Sequence, residues 1–278
     1  MPAFWGVRPD ERPVRREHLV QAQRTLPPEV WRRPHAPLVR AGITGCGEEL
    51  LVLAWSVPML AAEKAAGVRL LRRVGLGRGS RVANTLPGAL VTPGSLLVGD
   101  VVEELGALDV PLGAIVSEQA AASAWELVRL VEPNALVLET ATATQFWRAR
   151  PHETCLPLDA VVWLHRQMPA AWPELPEEVT AKIQLHWFSV PEVQCFFAHS
   201  CGDHFHVDEL LRATVVDPAT LEAARSGSLL VEWIDEEQGP VSYLVPWQAR
   251  ALDRSCSDGK GLVLQWIEAP PLQDGQQR

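Results

Sequence analysis

The middle of the chain alternates short apolar runs with longer amphipathic stretches. The run around Val82 and the segments LDVPLGAI and NALVLET have the length and composition of strands. Between them, PGSLLVGDVVEELGA and ASAWELVRLVEP space their apolar residues as amphipathic helices do. This strand–helix order predicts an α/β fold in which helices cover a mostly parallel sheet. The loops Thr85–Pro93 and Glu139–Thr144 are then expected at the carboxyl edge of the sheet, which is the usual place for ligands.

The flanking segments predict further elements. Glu48–Arg73 is apolar and rich in alanine, which predicts one long buried helix after a glycine-rich turn. LDAVVWLHRQ and AKIQLHWFSV predict two more strands, with a proline-rich helix around Pro173–Thr180 between them. Earlier in the chain, the basic stretch Arg15–Thr25 predicts an amphipathic helix whose arginines favour a solvated face.

After about Leu210 the pattern changes to short runs rich in Val, Leu and Trp, separated by turn residues, which predicts antiparallel strands. We therefore divide the chain into an arm over residues 1–40, an α/β core over 41–209 and a smaller antiparallel β subdomain over 210–268, with a frayed tail over 269–278.

Composition narrows the function classes. The formal net charge of -9 argues against a nucleic-acid partner that is bound through its phosphates. No apolar stretch is long enough to cross a membrane, and the first residues lack the apolar core of a signal peptide. Five scattered cysteines do not form a secreted disulfide framework. These features predict a cytoplasmic protein that binds neither nucleic acid nor membrane.

Four segments, in order, resemble one enzyme family. They are GVRLLRRVGLGRGSRVANTLPGALVTPGS, VEPNALVLETATATQFW, LHWFSVPEVQCFFAHSC and the pair ATVVDPAT and GSLLVEWI. Their collinear series resembles the phenylacetate-CoA ligase branch of the adenylate-forming (acyl-CoA synthetase) enzymes. The resemblance implies that family's large-domain fold, the use of ATP with Mg²⁺, and a carboxylate that is adenylated and passed to CoA. From the resemblance we expect no counterpart of the family's mobile C-terminal domain in this chain.

The nucleotide motifs of the family are matched in part. In RAGITGCGEE, Gly42, Thr44 and Gly45 fit the phosphate-binding loop, but two glutamates follow at once and would repel a triphosphate. The other interpretation of this segment is a glycine turn that caps the next helix.

The family's "YGLSE" motif, which holds nucleotide and magnesium, is matched by Phe188 and Glu192, with Pro191 in place of Ser. The turn that would approach adenine is Trp163–Gln167 and lacks glycines. Gln248 or its neighbour stands where the family has the aspartate that binds ribose.

A second constellation, CFFAHSCGDHFH, suggests a structural metal. Members of this branch can hold such a metal, and the resemblance places Cys201, His206 and Cys256 in matching positions. Zinc requires four nitrogen or sulfur ligands, and the fourth ligand is open among Cys195, His199 and His204. A turn at Gly202–Asp203 is needed to bring these residues together. The alternative is a group of surface histidines and buried thiols.

Three functions follow from these residues. The leading one is a catalytically eroded relative that binds a nucleotide or an aryl or acyl carboxylate. The second is an active acid–CoA ligase of the AMP-forming type that a partner subunit completes. The third is a non-enzymatic zinc-containing scaffold or regulatory protein, for which a homodimer is one arrangement.

Overall fold

The computed structural model describes residues 13–25, 37–88, 91–151, 156–235, 239–254 and 261–267. Its helices are α1 (Arg16–Thr25), α2 (Val57–Arg73), α3 (Ser95–Glu104), α4 (Glu118–Val131) and α5 (Thr140–Arg148). Its strands are β1 (Leu38–Thr44), β2 (Leu51–Ser56), β3 (Arg81–Asn84), β4 (Leu108–Pro111), β5 (Ala135–Glu139), β6 (Leu156–His165), β7 (Val179–Val190), β8 (Gln194–Cys201), β9 (His204–Val207), β10 (Arg212–Val216), β11 (Ser226–Asp235), β12 (Gly239–Ala251) and β13 (Val263–Trp266).

One large sheet runs through the described residues. Its strand order is β10-β11-β12-β13-β9-β8-β7-β6-β5-β3-β4. The pairs among β4, β3, β5, β6 and β7 are parallel, and every pair from β7 to β10 is antiparallel. The predicted α/β class with a large sheet is confirmed, and the predicted parallel order over β3, β4 and β5 is present.

Alternation along the parallel strands sends apolar side chains to both faces of the sheet. Val82, Val137 and Val162 share a core with residues of α2 and α3. Ala83, Leu136 and Val161, one position away on the same strands, share a second core with residues of α4 and α5. A strand that is buried on both faces has apolar residues at consecutive positions. This explains the continuous apolar runs in NALVLET and LDAVVWLH.

Three predicted elements are wrong. The long helix over Glu48–Arg73 is instead a short 3₁₀ turn, the strand β2 and the helix α2. A short apolar run cannot by itself distinguish a strand from a buried helix, but a proline in the first turn of α2 marks its start. No helix forms around Pro173–Thr180, and the loop expected over Glu139–Thr144 is largely the first turn of α5.

The glycine-rich segment lies outside the large sheet. β1 and β2 form a separate antiparallel pair. This pair is joined to the carboxyl edge of the parallel strands through the segment after β3, because Thr92 N–H donates to the Ile43 carbonyl at 2.9 Å. Gly42 therefore reaches that edge only indirectly.

The strands expected after Leu210 are present as β10–β13 and pair antiparallel, in the same sheet as the parallel strands. The division of the chain at residue 209 stays a prediction. The tail 269–278 and much of the arm 1–40 lie outside the described residues. Among the described helices, none combines the length and the apolar character that a membrane crossing requires.

Candidate functional site

The glycine-rich segment forms a hairpin rather than an open loop. Gly42 and Thr44 lie within β1, and Gly45 follows it with φ +77°. A side chain at Gly45 would be strained at this φ, and its Cβ would also overlap the Arg16 guanidinium. The chain then turns through Gly47–Glu49 into β2, so the glycines permit a tight β1–β2 connection and do not cap a long helix.

Glu192 lies in the turn between β7 and β8, and it is 3% exposed. The Arg16 Nη1 of α1 donates to Glu192 Oε1 and forms an ion pair with it. The same guanidinium donates from Nη2 to the Glu49 carbonyl at 2.9 Å. Arg16 therefore bridges the glycine-rich turn and Glu192, the two features that resemble a phosphate-binding loop and a magnesium-holding carboxylate.

The segment that carries Arg16 is an integral part of the fold. Val14 joins β12, with hydrogen bonds of 2.8 Å to the Ser242 carbonyl and 2.9 Å from the Leu244 N–H. Leu19 and Ala22 are buried in the main core, and the Gln23 amide exchanges two hydrogen bonds with the Val52 backbone. The amphipathic helix expected over Arg15–Thr25 is present as α1, with its apolar face buried, but the Arg16 guanidinium is paired with Glu192 instead of being left to solvent.

Phe188 occupies the centre of an aromatic cluster. It is fully buried and stacks on His165 with ring centroids 4.8 Å apart. Aromatic rings from four other segments surround it: Trp172 at 6.2 Å, Phe205 at 5.3 Å, Trp247 at 5.7 Å and Trp266 at 5.5 Å. These rings fill the space beside Phe188 with side chains, where the resemblance expected an adenine.

A buried histidine pair adjoins this cluster at the end of β6. His165 Nε2 lies 3.0 Å from His186 Nδ1, and its Nδ1 lies 3.2 Å from Thr140 Oγ1. Burial lowers the pKa of His165, with a smaller contribution from His186, and burial lowers the pKa of His186 to about 3. Both rings are therefore neutral, and the turn that would approach adenine is filled by imidazole.

Gln248 lies on β12, opposite Ser228. Its Nε2 donates to Ser228 Oγ at 3.0 Å. The register of the β11–β12 pair shifts at this point: Ser228 pairs with Gln248, but the next residue, Leu229, pairs with Val245. The two extra residues of β12, Pro246 and Trp247, form a β-bulge. The bulge directs Trp247 toward Phe188, so the structure does bring this segment beside the Phe188 segment. The Gln248 amide itself is used within the sheet.

Cys201, His204 and His206 form the second constellation. The turn expected at Gly202–Asp203 is present, with Gly202 at φ +60°, and it places Cys201 opposite His204 and His199 opposite His206. One possible ligand atom from each of Cys201, His204 and His206 lies within 4.8 Å of the others. Paired residues of a hairpin lie on the same face of the sheet, which is why these three residues converge.

The donor set fits a zinc ion. His204 Nδ1 lies 3.0 Å from Asp203 Oδ1, and within the described part of the chain its buried Nε2 has no hydrogen-bond partner. A carboxylate that accepts from Nδ1–H leaves Nε2 free to bind a metal. A hydrogen bond from His204, reinforced by Arg254, lowers the pKa of Asp203 and so keeps this carboxylate charged.

The structure does not bring Cys195 to this group. Six positions of β8 separate it from Cys201, which is roughly 20 Å along a strand. Its Sγ lies 3.6 Å from Thr92 Oγ1, and its backbone N–H donates to Glu63. Burial, with the nearby Glu63, raises the pKa of the Cys195 thiol, so it is not the thiolate that a metal requires. Cys256 lies outside the described residues.

Two features escaped the sequence interpretation. The pairing of Arg16 with Glu192 is one, because the basic stretch Arg15–Thr25 predicts only that its arginines favour solvent. Glu63 lies in the middle of an apolar helix, and burial raises its pKa to about 7. A lone acid among apolar residues was the available signal for that position.

The chain has the fold of the CoA ligases that form acyl adenylates. No family model matches its sequence, and no curated protein is similar to it in sequence. In structure it is similar to 2-hydroxyisobutyryl-CoA ligase in an open conformation with 2-HIB-AMP and CoA, with a TM-score of 0.74 and 15% identity over 92% of this chain and 63% of that one.

Two further solved structures are similar. The same ligase in the postadenylation state with 2-HIB-AMP has a TM-score of 0.75 and 16% identity over 90% of this chain and 56% of that one. CmiS6 has a TM-score of 0.52 and 14% identity over 87% of this chain and 69% of that one. The chain thus spans between 56% and 63% of the length of these ligase structures, and at such identities the likeness concerns the fold.

Proposed function

We propose that this chain is a phenylacetate-CoA ligase-related protein that serves as a binding or regulatory protein and does not adenylate a carboxylate by itself. The observation that carries the proposal is the position of Arg16. Its guanidinium pairs with Glu192 and also contacts the glycine-rich turn. A protein cation at this carboxylate leaves no charge there for Mg²⁺ to neutralise.

The surroundings of Arg16 support the same conclusion. Phe188 is enclosed by other aromatic rings, and the neutral His165–His186 pair fills the neighbouring turn. The residues present therefore do not fit a magnesium–triphosphate, and no adenylation step is assigned to them. In this proposal the ligase-type fold is retained, while its nucleotide position is occupied by the protein's own side chains.

Pyrophosphate release tests the proposal. Purified chain is incubated with ATP, Mg²⁺ and a panel of aryl and acyl carboxylates, with and without CoA. We expect no release above the background of a no-protein control. Carboxylate-dependent release by the unmodified chain would overturn the proposal, because it would require a nucleotide at the position that Arg16 fills.

We further propose a structural zinc at the β8–β9 hairpin, as a second function of the same scaffold. Cys201, His204 and His206 would hold it, and His199 or Cys256 is the candidate fourth ligand. The gathered ligand atoms and the free Nε2 of His204 support this set. Zinc bound there would cross-link two strands of the sheet and supply stability rather than chemistry.

Metal content and thermal stability test the zinc proposal separately. We expect about one zinc per chain, and loss of that zinc in Cys201→Ser and His204→Ala variants. Cys46→Ser is the matched control, because Cys46 is an exposed thiol outside the hairpin. Zinc-free protein after expression in zinc-supplemented medium would contradict the assignment.

A further inference from the structure

The turn of the β8–β9 hairpin places a carboxylate beside His204. Asp203 Oδ1 lies 3.0 Å from His204 Nδ1. Consecutive residues of a strand point to opposite faces of a sheet, so their side chains do not meet in this way within a strand. The contact arises because Asp203 belongs to the turn, where Gly202 has φ +60°, whereas His204 is the first residue of β9. The hairpin thus supplies a possible metal ligand and a carboxylate partner for that ligand from two consecutive residues.

Arg254 contacts the same carboxylate from another part of the sheet. Its Nη2 donates to Asp203 Oδ1 at 2.9 Å, which is the oxygen that His204 also contacts. A carboxylate oxygen has two lone pairs, so it can accept from both groups at once. Arg254 follows β12, and β13 lies between β12 and β9 in the sheet. The position of Asp203 is therefore restrained from outside the hairpin.

The contact with Asp203 determines which nitrogen of His204 carries the proton. In a neutral imidazole whose Nδ1–H donates to a carboxylate, the lone pair is on Nε2. His204 is 8% exposed, and among the described residues its Nε2 has no hydrogen-bond partner. A buried acceptor without a donor is unfavourable, and coordination of a metal ion would satisfy this lone pair.

We propose that Asp203 is a positioning residue for the zinc ligand His204, and that Arg254 holds Asp203 in place. The inference rests on the zinc proposed above, and it adds two residues that do not themselves contact the ion. Asp203 would fix the tautomer and the ring orientation of His204, as carboxylates do for histidine ligands of zinc. The side chains of Asp203 and Arg254 are 58% and 41% exposed, so their ion pair contributes little by itself and acts through orientation.

Zinc affinity, measured by competition with a chromogenic chelator, tests the effect of Asp203 on the metal. We expect Asp203→Ala to bind zinc roughly 10–100-fold more weakly than the unmodified chain. Asp203→Asn should bind more weakly than the unmodified chain but more tightly than Asp203→Ala, because its amide oxygen still accepts from Nδ1–H. Arg254→Ala should weaken binding by about fivefold or less, since it removes one exposed contact. Asp217→Ala is the matched control: Asp217 is another exposed turn aspartate, it accepts from backbone N–H groups outside the hairpin, and its loss should leave zinc affinity unchanged.

NMR of the histidine nitrogens in the metal-free chain tests the tautomer directly. The spectra are recorded at mildly alkaline pH, where imidazole is neutral, and the His204 signals are identified by their loss in His204→Gln. We expect the proton on Nδ1 of His204 in the unmodified chain, and a shift of that proton toward Nε2 in Asp203→Ala. A role of Asp203 in folding alone would not move this proton.

The outcomes separate this inference from the zinc proposal. An unmodified chain that binds no zinc would contradict both. Zinc bound equally tightly by the unmodified chain and Asp203→Ala, or a proton on Nε2 of His204 in the unmodified chain, would overturn this inference alone. If circular dichroism shows that Asp203→Ala is unfolded, Asp203→Asn decides instead, and zinc affinity equal to that of the unmodified chain would then contradict the inference.

Discussion

Replacement of Arg16 by alanine should destabilise the protein through the carboxylate that it leaves behind. Glu192 is 4% exposed in its side chain and Arg16 is 23% exposed. Removal of one partner from a buried ion pair costs roughly 3–5 kcal/mol, because the other charge stays buried without compensation. Since Arg16 keeps some contact with solvent, we expect the free energy of unfolding to fall by about 3 kcal/mol, the lower end of this range. The midpoint of thermal unfolding should fall by roughly 6–12 °C.

A double-mutant cycle separates this ion pair from general damage to α1. The free energy of unfolding is measured with urea for Arg16→Ala, Glu192→Gln and the double variant. The double variant should be more stable than the sum of the single effects predicts, with a coupling energy of about 1.5 kcal/mol or more. Arg24→Ala is the control: Arg24 lies on the same helix, and among the described residues its acceptor is a backbone carbonyl. Additive single effects within about 0.5 kcal/mol would refute the reasoning.

Three further predictions concern other positions. Gly45→Ala should lower the free energy of unfolding by about 1 kcal/mol or more, because φ +77° and the Arg16 guanidinium both oppose a Cβ; urea unfolding with unchanged stability would contradict this. The pKa of Glu63 is raised by burial from 4.5 to about 7, so its stabilising contribution is full below pH 4.5 and is lost as the pH rises through 7. Glu63→Gln should therefore flatten the decline in the free energy of unfolding between pH 4.5 and 7. The same pH dependence in Glu63→Gln and the unmodified chain would contradict this prediction. Treatment with a strong chelator should lower the thermal midpoint of the unmodified chain but not that of Cys201→Ser; equal effects on both would argue against zinc at the hairpin.

The sequence predicted the parallel strands because each carries a continuous apolar run between turn residues. Val82, Leu136 and Val161 are buried strand residues, as the pattern around them indicates. The amphipathic spacing in α3 and α4 was equally clear, because each helix has one buried face. Such patterns result from burial against a sheet, so strands and helices of this kind can be predicted from the local sequence alone.

The hairpin β1–β2 could not be separated from α2 in this way. Leu51–Ser56 is an apolar run that continues directly into an apolar helix, and only Pro58 marks the change. Its pairing with Leu38–Thr44 requires a tight turn at Gly45, and Arg16 donates a hydrogen bond to the Glu49 carbonyl after that turn. Such contacts join positions far apart in sequence, and local periodicity carries no information about them.

In the candidate sites too, contacts between residues close in sequence could be predicted, whereas contacts between distant residues could not. Cys201, His204 and His206 are close in sequence, and one turn suffices to bring them together, so their convergence could be anticipated. The pairing of Arg16 with Glu192 links two residues 176 positions apart. Likewise, Phe188 matched a family position, but the rings that enclose it come from β9, β12, β13 and the loop around Trp172.

Calorimetric titration of the unmodified chain with Mg–ATP tests the central claim most directly. Because Arg16 fills the space between the glycine-rich turn and Glu192, we predict no saturable binding heat. Saturable one-to-one binding of Mg–ATP that is lost in Glu192→Gln would contradict the account, since it would mean that Glu192 is available to a magnesium–nucleotide despite its ion pair.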